Sequence, residues 1–251
     1  MMDESFARNR SFLHDRDPRA KIIVAAAFIC VVAISNVFAV ATVALCVSIS
    51  LILIARLPLR IIIRRLLAVN TFIFFLWLTL PLTYGGEKTL QLGPLSISMA
   101  GVYIATLITL KANTITLALI ALLGTSTIAD LGHALDGLGI SKRLCFLLLF
   151  SYRYIFVIHN EYQKLLRAVK IRCFVATTNI HTYRTYGYLF GMTLVRSWNR
   201  AARVHQAMLL RGFNGTLIPL DSQQIGKKDF YFLAVSLFFI VALCLLPFLG
   251  R

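Results

Sequence analysis

Long apolar runs, separated by short polar or basic stretches, dominate the first half of the chain. About 20 apolar residues cross the hydrocarbon core of a bilayer, and runs of this kind predict five transmembrane helices. The predicted spans cover residues 22–35, 37–55, 66–84, 100–123 and 230–249. The first run is shorter than a full span, and Ser35-Asn36 predicts a tight turn into the second.

Local signals predict where the first helices begin and end. Asp17-Pro18 opens the first helix, because aspartate can cap a helix and proline suits its first turn. A basic stretch from Arg56 to Arg65, punctuated by Pro58, separates the second span from the third. A polar loop containing Pro94 then leads from the third span to the fourth.

The pattern changes after the fourth span. Thr127-Ile-Ala-Asp130 resembles a capping box, and apolar residues at helical spacing after it predict a short amphipathic helix ending at Gly137-Leu-Gly139. Two long helices follow, at about 142–174 and 182–212. The sequence thus predicts an all-α membrane protein with about five transmembrane helices and a cytoplasmic domain of one short and two long crossing helices. The predicted domains are residues 1–123 (four spans), 124–229 (cytoplasmic) and 230–251 (the last span).

Composition supports membrane insertion. Hydrophobic residues make up 59% of the chain and charged residues 14%, against about 45–50% and 25% in soluble domains. The net charge is +16, and with a cytoplasmic N-terminus 23 of the 26 Lys and Arg residues lie on the cytoplasmic side. Basic residues are retained on that side of a membrane and lie near anionic lipid. The charge therefore predicts a cytoplasmic N-terminus in a multi-pass inner-membrane protein and argues against nucleic-acid binding.

The two long helices end in the same pattern. Residues 165–174 align without gaps on residues 204–213, and both segments contain Ala-x-x-x-Arg-x-Phe. Each arginine offers a permanently charged planar fork that can bind a carboxylate through two hydrogen bonds. A single arginine here would be read as an ordinary helix-end charge facing lipid headgroups, but the duplication favours a docking role for Arg172 and Arg211.

Other candidate chemistry is weaker. Gly187-x-x-x-Gly191 would permit a close helix crossing in the second long helix. Lys111, inside the fourth span, could contact another subunit or pair with polar groups such as Asn70 or Asn113. The Gly86–Thr89 stretch lacks the pattern of a phosphate loop, and the five histidines are too scattered to indicate a metal site.

Taken together, the paired arginine ends resemble the coupling helices of the transmembrane T component of energy-coupling factor (ECF) transporters. The opening Ser11-Phe-Leu-His14-x-x-Asp17-Pro-Arg19-x-Lys21 is similar to the N-terminal signature of the cobalt or nickel (CbiQ) branch. The segment 125–142 resembles the short helix that precedes the coupling helices. The family often has Ala-Arg-Gly at both ends, whereas this chain has Ile171-Arg172-Cys173 and Leu210-Arg211-Gly212.

The resemblance implies a mechanical link without catalytic residues. It implies that each of two cytoplasmic ABC ATPase subunits receives one of these helix ends, and that those subunits bind ATP and Mg. It also implies a membrane-embedded substrate-binding S component, with cobalt or nickel as cargo and a vitamin as the alternative, and no cofactor in this chain. A conventional ABC importer permease would carry a single short coupling helix per subunit. An intramembrane enzyme would need acids or metal ligands near a span, and the predicted spans contain no carboxylate.

Overall fold

The structure, a computed structural model, describes residues 11, 13–14, 16–83, 89–92, 95–214 and 226–249. These residues form eight helices and one short hairpin, which confirms the predicted all-α membrane class. The helices are α1 Pro18–Ile34, α2 Phe38–Ala55, α3 Leu59–Thr83, α4 Met99–Leu122, α5 Ile128–Gly137, α6 Lys142–Ile171, α7 Ile180–Leu210 and α8 Lys227–Leu249. The hairpin pairs β1, Thr89–Leu92, with β2, Leu95–Ser98, where the sequence predicted a polar loop. Pro94 lies outside the described residues.

The chain divides into two compact units. Residues 2–131 and 222–251 form one, the membrane unit, and residues 132–221 form the other, the helix-pair unit. Within the described residues, α2, α3 and α4 are long and apolar enough to cross a bilayer. The 17-residue α1 is shorter than a standard span, whereas α8 has 23 residues with an apolar stretch from Phe230 to Leu249. The predicted shortness of the first helix is therefore confirmed.

The start of α3 differs from the sequence prediction. The expected basic loop is helical from Leu59 onward, so Arg60, Arg64 and Arg65 occupy the first turns of α3. Pro58 immediately precedes this start. Arginine is a good helix former, and its long side chain at a helix end can extend toward the membrane interface. The run of arginines therefore lengthens the helix.

Helix α4 is the centre of the membrane unit and contacts α1, α2 and α3. Small residues line this contact on both helices: Ala44 of α2 and Ala118 of α4 are completely buried. Ser48 on α2 donates a hydrogen bond across the contact to the Thr114 carbonyl, at 3.2 Å. Small residues and hydroxyl hydrogen bonds are how transmembrane helices associate where apolar burial gives no advantage over lipid.

A glycine lets α4 approach α3 even more closely. A Cβ on Gly101 would lie 2.8 Å from the Leu80 carbonyl oxygen and 2.9 Å from the Pro81 Cα. Both atoms belong to the backbone of α3, so a side chain could not be accommodated by a rotamer change. This close approach, which sequence reasoning missed, fixes the start of α4 against the end of α3.

The N-terminal signature folds into a buried polar cluster of the membrane unit. Asp17 caps α1 by accepting a hydrogen bond from the Arg19 N–H at 2.8 Å, as the sequence predicted. The Asp17 N–H donates to the carboxylate of Asp229 on α8 at 3.2 Å. Lys21 is fully buried, and its Nζ donates to Ser126 Oγ at 3.0 Å. The signature thus joins the starts of α1 and α8 to the turn after α4.

Lys111 fastens the end of α1 to α4. Its ammonium donates to the Ala33 carbonyl at 3.0 Å and to the Asn36 side-chain oxygen at 3.1 Å. A cation beside the last carbonyls of a helix is favourable because these carbonyls lack helical partners. The suggested partners, Asn70 and Asn113, instead bond to each other at 3.2 Å.

Helix α5 begins and ends as predicted. The Asp130 N–H donates to Thr127 Oγ1 at 3.1 Å, and the Thr127 N–H donates back to the Asp130 carboxylate at 3.3 Å. This reciprocal pair is a capping box. Gly139 ends the helix with a φ of +88°, a conformation that glycine adopts without a Cβ clash.

Candidate docking site

The two long helices run antiparallel within the helix-pair unit. The Phe213 ring, just past the end of α7, lies 5.3 Å from the Phe146 ring near the start of α6. At the opposite end, the Phe174 ring after α6 lies 6.1 Å from the Tyr186 ring near the start of α7. The phenylalanine of each repeated pattern therefore packs on the first turns of the other helix.

Both helices end in the same backbone motif. After α6, the Cys173 N–H donates to the Lys170 carbonyl at 3.0 Å, and the Phe174 N–H donates to the Val169 carbonyl at 3.4 Å. The end of α7 repeats these bonds with Gly212 to Leu209 and Phe213 to Met208, both at 3.0 Å. This pattern is a Schellman motif. The repeated sequence is thus a repeated structure, with an arginine at the same position in each copy.

The residue after each arginine adopts a left-handed backbone conformation. Gly212 has a φ of +76°, which suits glycine, and Cys173 has a φ of +58°. A residue with a Cβ is strained in this region by about 1–2 kcal/mol. The Schellman motif, which usually has glycine at this position, is therefore formed here by a cysteine at an energetic cost, and the position of Arg172 is retained.

Both ends expose an apolar side chain next to the arginine. Arg172 and Arg211 are exposed, and their neighbours Ile171 and Leu210 are 82% and 90% exposed. An exposed aliphatic residue beside a guanidinium offers an apolar contact together with a charge-assisted hydrogen-bond donor. The two tips therefore combine features that suit a groove with an acidic wall.

The two tips lie at opposite ends of the helix pair. Phe213 packs beside the start of α6, whereas Arg172 caps its far end. At 1.5 Å of rise per residue, the distance along α6 from Phe146 to Arg172 is about 40 Å. Two sites this far apart fit two separate partner surfaces.

The close crossing predicted at Gly187 and Gly191 does not occur between α6 and α7. No described atom lies within 4 Å of where a Cβ would stand on either glycine. The face of α7 that is buried carries Thr182, Leu189 and Thr193. The glycines lie on a different face of the helix and leave a strip of its surface open.

The helices are instead held together at mid-length by one carboxylate, which sequence reasoning missed. Glu161 of α6 accepts a hydrogen bond from Arg196 of α7 at 2.6 Å, and Arg200 lies 3.8 Å away. The Tyr162 ring stacks on Phe190 at 5.5 Å beside this ion pair. Glu161 is the only acidic residue between Asp136 and Asp221, a sequence signal that could have revealed it.

The electrostatic environment of Glu161 favours its charged form. The hydrogen bond from Arg196, with smaller contributions from nearby Lys164 and Arg200, lowers the pKa of the Glu161 carboxyl. A lowered folded-state pKa stabilises the fold above the unfolded value of about 4.3, and this stabilisation is lost as the pH falls through the folded value. The ion pair is therefore fully formed at neutral pH.

An apolar cleft adjoins this ion pair. It has a volume of about 760 Å³ and is lined on the α6 side by Phe150, Tyr154 and Ile158, and on the α7 side by Leu194 and Trp198. Glu161, Arg196 and Arg200 form its polar wall. No group of three His, Cys, Asp or Glu side chains among the described residues is arranged to hold a metal ion.

Substitutions at the two caps should have opposite effects. Cys173→Gly should stabilise the helix-pair unit by up to about 1–2 kcal/mol because it removes the left-handed strain. Gly212→Ala should destabilise it by about 1 kcal/mol because it introduces the same strain. Thermal unfolding of the purified chain measures both changes. Equal effects of the same sign would contradict the matched geometry of the two ends.

These features define a class of protein: a multi-span membrane protein that presents two matched arginine-tipped helix ends. Residues 9–222 match the CbiQ family, described as cobalt transport protein. The chain therefore belongs to the CbiQ family, which confirms the family predicted from the arginine ends and the N-terminal signature.

Two proteins of Methanocaldococcus jannaschii are similar over part of their length. The uncharacterized protein MJ1089 is 27% identical over 124 residues, which cover 49% of this chain and 46% of the relative. The uncharacterized protein MJ1571 is 24% identical over 151 residues, covering 60% of this chain and 52% of the relative. The chain spans about half the length of the curated relatives it matches.

Proposed function

We propose that the chain is the transmembrane coupling subunit of an ECF-type importer. The observation that carries this proposal is the pair of identical Schellman caps, each presenting an exposed arginine beside an exposed aliphatic residue. A pair of distant, matched tips suits a partner that itself comes in two copies. The CbiQ family match adds independent support.

In this proposal, two cytoplasmic ABC ATPase subunits each receive one tip and bind the ATP and Mg. The docking residues are Ile171, Arg172, Cys173, Leu210, Arg211 and Gly212. ATP-driven closure of the ATPase pair shifts both tips at the same time. Residues 124–229 act as the coupling domain that passes this motion to a membrane-embedded substrate-binding subunit, and this chain hydrolyses nothing.

The cargo and the topology are part of the same proposal. The description of the family favours cobalt, with nickel as a close chemical alternative and a vitamin as a further one. Because 23 of 26 basic residues fall on one side of the predicted topology, the N-terminus and the arginine tips face the cytoplasm. The chain is then a multi-pass protein of the cell membrane.

Crosslinking from the two tips separates this proposal from a conventional permease. A single cysteine is retained at Cys173 or introduced by Leu210→Cys, with the remaining native cysteines replaced by serine. A coupling subunit should crosslink to an ATPase from both positions, and the double-cysteine chain should crosslink to two copies at once. Crosslinking from one end only would favour a permease with a single coupling helix. No crosslink from either end would reject ATPase docking.

A further inference from the structure

Glu161 is a lone anion in a strongly basic unit. Twelve Lys and Arg residues and no other acid lie between Asp136 and Asp221. The Glu161 side chain is 15% exposed, whereas its partner Arg196 is 47% exposed. The carboxylate is therefore the shielded centre of the cluster, and the cations reach it from the solvent side.

The Glu161–Arg196 ion pair lies near the middle of both helices, and few side chains are buried between the helices. Among the described residues, Cys145 is the buried residue of α6, and α7 buries Thr182, Leu189 and Thr193. On one side of Glu161 an open apolar cleft lies between the helices, and ring contacts join them again at their two ends. With so few buried side chains, the ion pair and the Tyr162–Phe190 stack beside it are the contacts that fix the geometry of the helix pair at mid-length.

We infer that Glu161, through Arg196 and Arg200, is the positioning residue that makes α6 and α7 move as one rigid lever between the two arginine tips. This inference rests on the proposed function, because it concerns how that function is transmitted. With the link intact, displacement of the Arg172 tip must displace the Arg211 tip. Without the Glu161 link, each helix moves separately with the ATPase subunit bound at its tip, and ATP hydrolysis proceeds without moving the membrane partner.

The chain offers a matched control on the same carboxylate. Lys164 also lies 3.8 Å from Glu161, but it belongs to α6 and is 64% exposed. Lys164→Gln thus removes a cation from Glu161 without breaking the bridge between the helices. Glu161→Gln and Arg196→Gln break the bridge and leave the remaining cations solvated, so the chain should still fold.

The experiment compares these variants in the intact complex reconstituted in liposomes, measuring Co²⁺ uptake and ATP hydrolysis together. For Glu161→Gln and Arg196→Gln, the Co²⁺ imported per ATP hydrolysed should fall about tenfold, a typical coupling effect, while the bound ATPase stays at the wild-type level. The double variant should be no worse than either single one, because both break the same link. Lys164→Gln should retain the wild-type ratio.

Pulsed EPR on the chain alone provides a readout independent of the partners. Spin labels at the exposed positions Asn160 and Asn199 should give a narrow distance distribution in wild type and Lys164→Gln, and a broad one in Glu161→Gln. An unchanged coupling ratio or an equally narrow distribution in Glu161→Gln would overturn the inference. A parallel loss of ATPase binding, hydrolysis and uptake would also overturn it, because that pattern indicates a purely structural role. If the wild-type chain binds no ATPase, the proposed function fails. The widths of the EPR distance distributions then decide alone whether Glu161 fixes the distance between α6 and α7.

Discussion

Replacing both Arg172 and Arg211 by alanine is expected to detach the chain from its ATPase subunits and abolish uptake. Both guanidinium groups are exposed at capped helix ends, so the substitutions leave folding almost unchanged. If each tip docks with its charge paired and buried, truncation costs about 2–5 kcal/mol per tip. That range corresponds to a loss of affinity of about 30-fold to 4,000-fold.

The single substitutions should be much milder than the double one. Two tips on one rigid pair bind a two-copy partner bivalently, so the intact tip keeps the other near its site at a high effective concentration. Arg172→Ala or Arg211→Ala alone should weaken co-purification of the ATPases, whereas the double variant should lose it. Quantitative pull-down of the ATPase with the tagged chain measures the difference.

Arg167→Ala and Arg203→Ala are the matched controls. Both residues are exposed arginines of the same two helices that lie outside the caps. They remove the same charge from the same unit, so they test whether docking depends on the tips or on the overall positive charge. Normal co-purification of the double tip variant would end the docking proposal. Equal losses in the tip and control variants would indicate non-specific electrostatic attachment.

The sequence predicted those features that depend on local signals. The caps of α1 and α5 follow from Asp17-Pro18 and Thr127-x-x-Asp130, because capping needs only residues a few positions apart. The equivalence of the two helix ends follows from the repeat, and in both copies the N–H of the repeated phenylalanine, two positions after the arginine, makes one of the Schellman bonds. Local patterns therefore predicted the matched geometry of the two helix ends, and their docking role stays a prediction.

The predictions that failed concern contacts between residues far apart in the sequence. A Gly-x-x-x-Gly spacing signals only that a close approach is possible, and the faces of α7 that meet α6 are decided by the full set of side chains. The crossing is therefore at Glu161 and Arg196, not at Gly187 and Gly191. Lys111 similarly binds the end of α1, because the Ala33 carbonyl and the Asn36 side-chain oxygen, both distant in sequence, lie within reach of its ammonium.

Gly101 of α4 and Gly187 of α7 should respond oppositely to replacement by alanine. Gly101→Ala places a Cβ 2.8 Å from a backbone carbonyl of α3, so α3 and α4 must separate. Forcing extra volume into such a contact costs about 1–3 kcal/mol. Gly187→Ala adds its methyl group where no described atom lies within 4 Å. It should stabilise α7 by about 0.5–1 kcal/mol, because alanine loses less backbone entropy than glycine in a helix.

Thermal unfolding of the chain purified in detergent measures both substitutions under one condition, with Gly191→Ala as a second open-face control. The midpoint should fall for Gly101→Ala and rise slightly for the two α7 variants. A wild-type midpoint for Gly101→Ala would show that α4 does not press against α3 as closely as its backbone indicates. A fall for Gly187→Ala in the isolated chain would show that this face of α7 is covered in the folded protein. Gly187→Ala could also leave the stability of the chain unchanged and yet weaken binding of a membrane partner. The open strip of α7 would then be part of that partner's contact, because the added methyl group obstructs only the partner.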